Sequence, residues 1–325
     1  MLLRGKGIKK EQPEKILRLL FYNENEFYRI GSRGQRQRNQ IVGKEYMKVL
    51  TLNTHAWLEE KTLEKIKEVA QVIAREDFDV ISLQEVNQLV TAKEVDENCL
   101  GKYYQALDQE VRIKEDNYVW LLVQALNELR CSYYWTWAYS HLGYERFDEG
   151  VALLSKTSFS AEPIVVSACK DPNDYHRRVI IQAEIVTERG QLQVWSVHYS
   201  WWSKEEREDG FQREWRRTLE VSDHFVGPSL LLGDCNAPTH RRGESYDLLL
   251  KSRLKDSYYL AKKKRGKVTT LSGIAGWAQE TPPQRIDHVF VTSPFQVEDY
   301  RVMFDGKEEF VVSDHYGVSV SLRLE

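Results

Sequence analysis

The sequence predicts an α+β fold, formed by one domain that begins at Met47. The domain opens with a strand, a helix and a second strand, and at least six further strand-like segments follow with only a few long helices among them. No linker rich in Pro, Gly or Ser interrupts the chain after residue 47. Many strands with few helices are typical of layered α+β proteins.

The start of the predicted domain has a strand–helix–strand pattern. The segment MKVLTLNTHAW, residues 47–57, is a strand that runs into polar residues, and residues 62–76 carry apolar side chains at helical spacing. FDVISLQEVN, residues 78–87, is a continuous apolar strand that ends near Glu85. This order predicts a parallel pair of strands at the centre of a sheet.

The later part of the chain is dominated by short apolar or alternating runs, which are typical of strands. These runs cover residues 150–156, 179–187, 191–200, 229–238, 285–293 and 316–324. Two longer segments, residues 118–130 and 205–225, have the pattern of helices. Short turns join several of the strands, and the segments show no internal repeat.

Charge is distributed unevenly along the chain. Residues 1–46 hold 11 Lys and Arg against 5 Asp and Glu, and they lack a sustained period, so we expect a basic, flexible extension that is dispensable for activity. The remainder holds 35 basic against 44 acidic residues, a net charge of −9. Proteins that grip long nucleic acids usually carry a basic face. The acidic body therefore favours a small-molecule substrate over nucleic acid.

The cellular compartment is indicated by three features of the sequence. The four cysteines are widely spaced and form no CxxC pair, which fits a reducing environment. No apolar run approaches the length of a membrane span. The first 21 residues carry charges throughout and do not form a secretory signal. We therefore expect a cytoplasmic protein without a membrane partner.

Polar residues recur where the predicted strands begin or end, the places where a layered scaffold presents functional groups. They are carboxylates, carboxamides and imidazoles, without thiolates, and this composition suits a hard cation that prefers oxygen ligands. The set comprises Asn53, Glu85, His198, Asp234, Asn236, Asp287, Asp314 and His315.

The GDCN segment has two readings on its own. If the chain stays extended, the spacing of Asp234 and Asn236 points both side chains to one face, where they could hold a water and a phosphate oxygen. The same pair could simply form an Asx turn at the end of a buried strand. The segment alone does not decide between these readings.

The motifs together resemble those of the endonuclease/exonuclease/phosphatase superfamily, which includes DNase I-like nucleases, sphingomyelinases and inositol phosphatases. LNTHAW, ISLQEVN, SVHYS, LLLGDCNAP, RIDHVF and VSDHYGVSV occur in the family's order and near its spacing, over about residues 47–325. The resemblance implies a four-layer α/β/β/α sandwich of two packed, mostly antiparallel sheets. It also implies a phosphoric ester hydrolase that depends on Mg²⁺ or Mn²⁺.

The resemblance also implies a role for each matching residue. The implied metal ligands are Glu85, with support from Asn53, and Asp314 near the metal. Among the implied catalytic residues, Asp234 would deprotonate the attacking water, and Asn236 would hold that water or the phosphate. His315 would contact the phosphoryl oxygens, and Asp287 would fix its tautomer. His198 would bind the phosphate or assist the leaving group. The resemblance leaves open which histidine acts as the acid.

The segments beside these motifs are the candidates for substrate recognition. Guanidinium groups match phosphate geometry, and tryptophans can stack on a sugar ring or simply pack. The candidate residues are Arg146, Arg177, Arg178, Trp201 and Trp202. Glu149 could orient His198 or be a surface acid.

The choice of substrate rests on a weaker likeness. Within the superfamily, YERFDEGVALLSK, YHRR and the Trp-rich stretch most resemble the maltose 6'-phosphate phosphatases of lactic-acid-type bacteria. This implies a phosphomonoesterase for a small phosphorylated sugar, such as a disaccharide phosphate. A nuclease and a sphingomyelinase-like phosphodiesterase remain alternatives, and a non-catalytic binding protein of the same fold is a weaker one.

Overall fold

The computed structural model describes residues 46–202, 210–222, 225–271 and 282–325. The predicted N-terminal extension, residues 1–46, lies outside these ranges except for Tyr46. The described helices are α1 (Thr62–Glu76), α2 (Tyr118–Glu128), α3 (Phe211–Ser222), α4 (Ser245–Leu250) and α5 (Ser257–Leu260), with a 3₁₀ turn at Glu97–Cys99. None of the helices in these ranges has the length and apolar character needed to cross a membrane.

The strands of the described residues form two mixed sheets. They are β1 (Met47–Asn53), β2 (Val80–Gln84), β3 (Gln88–Leu89), β4 (Tyr134–Gly143), β5 (Phe147–Ser155), β6 (Phe159–Val165), β7 (Val179–Thr187), β8 (Gly190–His198), β9 (Ser229–Asp234), β10 (Lys255–Asp256), β11 (Lys263–Arg265), β12 (Asp287–Val291), β13 (Phe295–Met303) and β14 (Gly317–Leu324). The first sheet has the order β11-β13-β14-β1-β2-β5-β3, and β4 also pairs with β5. The second has the order β10-β12-β9-β8-β7-β6.

Most strand pairs of the described residues are antiparallel, and two of the three parallel pairs lie where the site is built. β1 and β2 are parallel and sit inside the first sheet, as the opening strand–helix–strand pattern predicts. β8 and β9 are parallel inside the second sheet. A third parallel pair, β11 with β13, lies at an edge.

The two sheets pack face to face over one apolar core. Val49 of β1 and Leu153 of β5 meet Val194 of β8 and Leu232 of β9 in this core. Towards one end of the sandwich the core gives way to buried hydroxyls, where the Oγ atoms of Ser82 and Ser196 lie 2.7 Å apart across the two sheets. A polar layer therefore separates the core from that end.

Helices cover the outer faces of both sheets. Trp120 of α2 stacks on Trp135 of β4, with ring centroids 5.9 Å apart, and α1 packs beside α2. On the other side, Phe211 of α3 and Tyr246 of α4 pack with Trp195 of β8. The layers are therefore helix, sheet, sheet and helix, which confirms the predicted four-layer sandwich.

Candidate active site

The site is formed where several strands of both sheets end at the same edge of the sandwich. Side chains alternate along a strand, so every second residue faces the neighbouring sheet. On β8 the inward positions are Leu192, Val194, Ser196 and finally His198. The apolar stripe that fills the core thus continues directly into an imidazole.

The same rule places the other strand-end residues. Asn53 follows Val49 on the inward face of β1, Asp234 follows Leu232 on β9, and Asp287 precedes Val289 on β12. All three are at most 2% exposed. The polar groups therefore meet at one end of a closed core.

The residues form a row because the strands of the two sheets face each other in order: β14 faces β12, β1 faces β9, β2 faces β8 and β5 faces β7. His315, just before β14, contacts Asp287 of β12, and Asn53 of β1 contacts Asp234 of β9. Glu85 follows β2 and so lies opposite β8, the strand that ends at His198. Glu149 of β5 lies 3.9 Å from the guanidinium of Arg178, the residue before β7. The row runs from the His315–Asp287 pair to the Glu149–Arg178 pair.

Gly233 fixes the register in the middle of the row. Its φ is +157°, and a Cβ there would lie 1.9 Å from the backbone oxygen of Val197. Only glycine allows β9 to approach β8 this closely. The resulting parallel register pairs His198 with Asp234, and His198 Nε2 lies 3.7 Å from Asp234 Oδ2.

Three site residues have left-handed backbone conformations. The φ values are 44° for His55, 49° for Glu85 and 45° for Asn236. Each residue lies one or two positions after the end of a strand: His55 after β1, Glu85 after β2 and Asn236 after β9. Such conformations are uncommon for non-glycine residues and cluster at functional sites. They turn each chain out of its strand at the edge of the site.

His315 and Asp287 form a buried ion pair. His315 Nδ1 donates to Asp287 at 3.0 Å and lies 3.8 Å from Asp234 Oδ2. Burial opposes the imidazolium, but the charges of Asp287 and Asp234 outweigh it and raise the pKa of His315 well above its ordinary value. The predicted role of Asp287, which is to fix the tautomer of His315, stays a prediction that this hydrogen bond would serve.

Asp234 is the central carboxylate of the site. Its Oδ2 accepts from Asn53 Nδ2 at 3.2 Å, and its Oδ1 accepts from the backbone N–H of Asn236 at 2.9 Å. This second bond is the Asx turn that the sequence allowed, while Asn236 Nδ2 donates to the carbonyl of Tyr199. Burial and the charge of Asp287 raise the pKa of Asp234 to about 7, which is suited to a general base near neutral pH.

His198 lies among groups that keep it neutral. Burial, and then the charges of Arg178, His141 and His315, lower its pKa well below the ordinary value. Its Nδ1 is 3.9 Å from Oε1 of Glu149. Glu149 is 5% exposed, so it is not a surface acid.

His141 is a neighbour of Glu149 that the sequence did not single out. Its Nδ1 lies 3.0 Å from the carbonyl oxygen of Arg177, and its Nε2 lies 3.4 Å from Glu149 Oε1. Burial and the charge of Glu85 raise the pKa of Glu149 to about 8. Burial and the charge of Arg178 lower the pKa of His141 to about 3, so both groups are uncharged at pH 7.

Two of the predicted metal ligands, Asn53 and Glu85, are in contact, and their oxygen atoms suit an oxygen-loving cation. Asn53 Nδ2 donates to Glu85 Oε1 at 2.8 Å, and the charge of Glu85 contributes, after burial, to the raised pKa of Asp314. Glu85 Oε2 is buried and makes no hydrogen bond within the described part of the chain. A buried carboxylate oxygen without a hydrogen-bond partner, near enough to a second carboxylate for their charges to interact, fits Mg²⁺ or Mn²⁺.

Two further residues at this corner were missed by the sequence reading. His55 Nδ1 lies 2.7 Å from Glu59 Oε1 and 3.5 Å from Asp314 Oδ1, and these three residues form a group that could hold a cation. Asp234, Asp287 and His315 form another such group. In the second group His315 is the protonated partner of Asp287, so it suits catalysis better than ligation. His55 lies within the quoted LNTHAW motif, which was the available signal.

The predicted substrate-binding residues separate into different environments. Arg178 is buried beside Glu149, whereas Arg177 donates from Nη1 to the carbonyls of Tyr139 and Ser140. Arg146 is exposed and lies over the ring of Phe147 at 4.6 Å. The two tryptophans, Trp201 and Trp202, differ in that the first is 38% exposed and the second packs on the outer core of the second sheet.

Comparisons with known proteins place this fold and site in context. The model of the Endonuclease/Exonuclease/phosphatase family matches residues 58–315. An endonuclease/exonuclease/phosphatase family protein from Leptotrichia buccalis C-1013-b is 29% identical in sequence, with a TM-score of 0.73, over 86% of this chain and 100% of that one. A search of curated proteins by sequence gave no match.

Two more distant structures share the fold alone. A mannosyl-6-phosphatase from Bacteroides thetaiotaomicron VPI-5482 is 19% identical, with a TM-score of 0.57, over 85% of this chain and 99% of that one. Truncated TDP2 from Caenorhabditis elegans is 15% identical, with a TM-score of 0.55, over 86% and 97%. The family match covers most of the chain, including four of the six strand-end motifs entirely and the first four residues of VSDHYGVSV, and the chain belongs to the endonuclease/exonuclease/phosphatase family.

Proposed function

We propose that the protein is a metal-dependent phosphomonoesterase that hydrolyses a small phosphorylated sugar, with a disaccharide phosphate such as maltose 6'-phosphate as the favoured candidate. The observation that carries this proposal is the pair of buried cations at the two ends of the row, His315 and Arg178. A phosphomonoester is a dianion and needs more positive charge around it than a diester. Charge neutralisation and positioning supply most of the catalysis of such reactions.

Arg178 is the stronger of the two indications. It is 7% exposed, and its guanidinium makes one hydrogen bond within the described ranges, from Nε to Ser200 Oγ at 3.2 Å. Its acidic neighbour, Glu149, has a pKa raised to about 8 by burial and by the charge of Glu85, so in the metal-free site it carries a proton at pH 7. A buried cation without a full counter-charge is costly unless an anion completes the site.

The remaining roles follow from the charge states of the site. Asp234, with a pKa of about 7, would accept the proton of the attacking water, and Asn236 would help to hold that water. The His315 imidazolium would bind a phosphoryl oxygen, and neutral His198 would be free to exchange a proton at Nε2. A Mg²⁺ or Mn²⁺ ion held by Glu85, Asn53 and Asp314 would supply further positive charge to the phosphoryl group.

The preference for a sugar rests on the surroundings of the row. Trp201 follows His198 by three residues and is 38% exposed, and we propose that the exposed part of its indole contacts a pyranose face. Trp202 packs against the protein instead and is the weaker candidate. A protein of the same fold acts as a mannosyl-6-phosphatase, so the scaffold supports chemistry of this kind.

A nuclease is the second candidate, and one surface feature favours it. The exposed run from Lys262 to Lys267 has five basic residues in six, and part of it forms the edge strand β11. Such a run could track a phosphate backbone. Lysines on an edge strand also prevent unwanted sheet pairing, however, and Lys262 and Arg265 are paired with Glu298 and Asp299.

The two candidates are separated by measuring product release from several esters in parallel. With Mg²⁺ present, we expect phosphate release from disaccharide and monosaccharide phosphates, and little cleavage of plasmid DNA, sphingomyelin or bis-p-nitrophenyl phosphate. Rapid cleavage of DNA with no phosphate released from any sugar phosphate would overturn the proposal.

Two substitutions test the residues that carry the proposal. Arg178→Met should lower kcat/KM for the monoester by at least about 10²-fold, as expected for a lost charged hydrogen-bond donor, while Arg189→Met on the distant β7–β8 turn should have no effect. Trp201→Ala should raise KM for the sugar phosphate more than KM for p-nitrophenyl phosphate. Equal changes for both esters would remove Trp201 from sugar recognition.

A further inference from the structure

The turn that joins β4 to β5 has an unusual backbone. Tyr144 and Glu145 are both left-handed, with φ values of 52° and 56°, and the N–H of Arg146 closes the turn by donating to the carbonyl of Gly143 at 3.1 Å. Asn-Gly is the usual sequence for two consecutive left-handed turn positions, because Cβ is disfavoured there. This turn instead holds a bulky aromatic residue in a strained conformation.

The strained turn lies directly against the catalytic row. A Cβ built on Gly143 would lie 2.7 Å from Oε2 of Glu149, so the backbone of the turn covers that carboxyl group. Tyr144 comes next in the chain. Its side chain is 59% exposed, yet burial of its hydroxyl and the charges of Glu85, Glu149 and Asp314 raise its pKa. Tyr144 therefore lies near enough to these carboxylates for their charges to act on it, while more than half of the residue remains accessible.

The position of the turn along the row indicates which part of a substrate it meets. Glu149 and β5 lie at the end of the row opposite the His315–Asp287 pair, and Asp234 lies between them. In-line displacement puts the leaving oxygen across the phosphorus from the water held by Asp234. A leaving group that extends away from the His315 end of the row would therefore meet Tyr144.

We propose that Tyr144 is a specificity residue that contacts the leaving group of the phosphate ester. The accessible ring stacks on a face of the leaving group, and the hydroxyl donates to one of its oxygens. The identity of that leaving group as a sugar rests on the proposed function. The strain in the turn is retained because it holds the aromatic side chain over the mouth of the site.

The test uses Tyr144→Asn, which suits a left-handed position, and Tyr144→Phe, which removes only the hydroxyl. The matched control is Tyr46→Asn, at the opposite end of β1 from Asn53. For Tyr144→Asn we expect a melting temperature equal to that of the wild type or about 1–2 °C higher, because backbone strain is relieved. KM for the sugar phosphate should rise at least about 10-fold with kcat within a few-fold, as expected for lost binding of the leaving group.

Inorganic phosphate supplies the internal comparison, since it has no leaving group. Its inhibition constant should be unchanged in both Tyr144 variants, and Tyr144→Phe should give a smaller rise in KM than Tyr144→Asn. An unchanged KM in both variants would overturn the proposal. So would a parallel loss of phosphate inhibition and of melting temperature, which would show a structural role only.

Failure of the proposed function gives a different result from failure of this inference. If the wild type releases no phosphate from sugar phosphates, the substrate assignment is wrong, and the same variants are compared on the ester that the wild type does cleave. A KM that is equal to the wild-type value for that ester would then overturn the role of Tyr144 as well.

Discussion

Replacement of Glu149 by Gln should stabilise the protein at alkaline pH, because the folded structure keeps this carboxyl group protonated. A carbonyl oxygen can only accept, so His141 Nδ1 donates its hydrogen to the carbonyl of Arg177. Neutral His141 then presents the lone pair of Nε2 to Glu149 Oε1, 3.4 Å away. A carboxyl O–H or an amide N–H satisfies this lone pair, whereas a carboxylate does not.

The magnitude follows from the shift in pKa. Burial and the charge of Glu85 raise the pKa of Glu149 from 4.5 to about 8. Between these two pH values the unfolded chain has released a proton that the folded chain still holds, so the free energy of unfolding falls as pH rises, by about 1.4 kcal/mol per pH unit. The stabilisation that comes from this proton is complete below pH 4.5, declines between pH 4.5 and about pH 8, and no longer changes above about pH 8. Over the whole window the loss is at most about 5 kcal/mol.

Urea unfolding at pH 5, 6.5, 8 and 9 measures this effect in the wild type, in Glu149→Gln and in the control Glu145→Gln. The control removes an exposed acid four residues away. A chelator is included, because a cation at Glu85 would lower the pKa of Glu149. Relative to the wild type, Glu149→Gln should gain several kcal/mol between pH 5 and pH 8, and the control should gain none. A difference that does not change with pH would refute the protonated state of Glu149.

Three further predictions concern the site and one other buried acid, Asp116. Asp234→Asn and His315→Ala should each lower kcat by at least about 10²-fold, and the double variant should be far from additive, since both groups act on one transition state; wild-type turnover in either single variant would exclude that residue. Excess chelator should abolish hydrolysis, and full activity in chelator would exclude a metal. Glu85→Gln should lower the rate and weaken its dependence on metal concentration, while the circular dichroism spectrum stays unchanged. Burial raises the pKa of Asp116 from 3.8 to about 6, so the folded state favours the protonated form and the free energy of unfolding falls as pH rises between these values. In urea unfolding, the free energy of unfolding of Asp116→Asn should gain up to about 3 kcal/mol on that of the wild type between pH 3.8 and pH 7. The same difference between variant and wild type at both pH values would refute this.

The sequence determined which residues end each strand on the inward face. On β8, β9 and β12 the period of two that fills the core also fixes the inward direction of His198, Asp234 and Asp287. The parallel pairing of β1 with β2 followed from the helix between them. These features depend on residues close together in the chain, so local patterns were sufficient to predict them.

Some strands escaped prediction because their patterns are locally weak. β6 contains Pro163 and has partly exposed residues, and it lies at an edge where a proline is tolerated. β4 is rich in aromatic residues and lies mostly buried between β5 and the covering helix α2. Neither strand shows the alternation that marks a half-buried strand.

The tertiary structure alone decided how the strand ends combine and what charge each group carries. Asn53 and Asp234 are 181 residues apart and meet only because β1 faces β9. Arg177 and Arg178 are adjacent in sequence, yet one guanidinium binds backbone carbonyls and the other lies beside the catalytic row. Protonated Glu149 and neutral His198 are likewise set by burial and by charges on other strands. A pKa reflects the sum of desolvation and of fields from groups distant in sequence, and only folding brings those groups together.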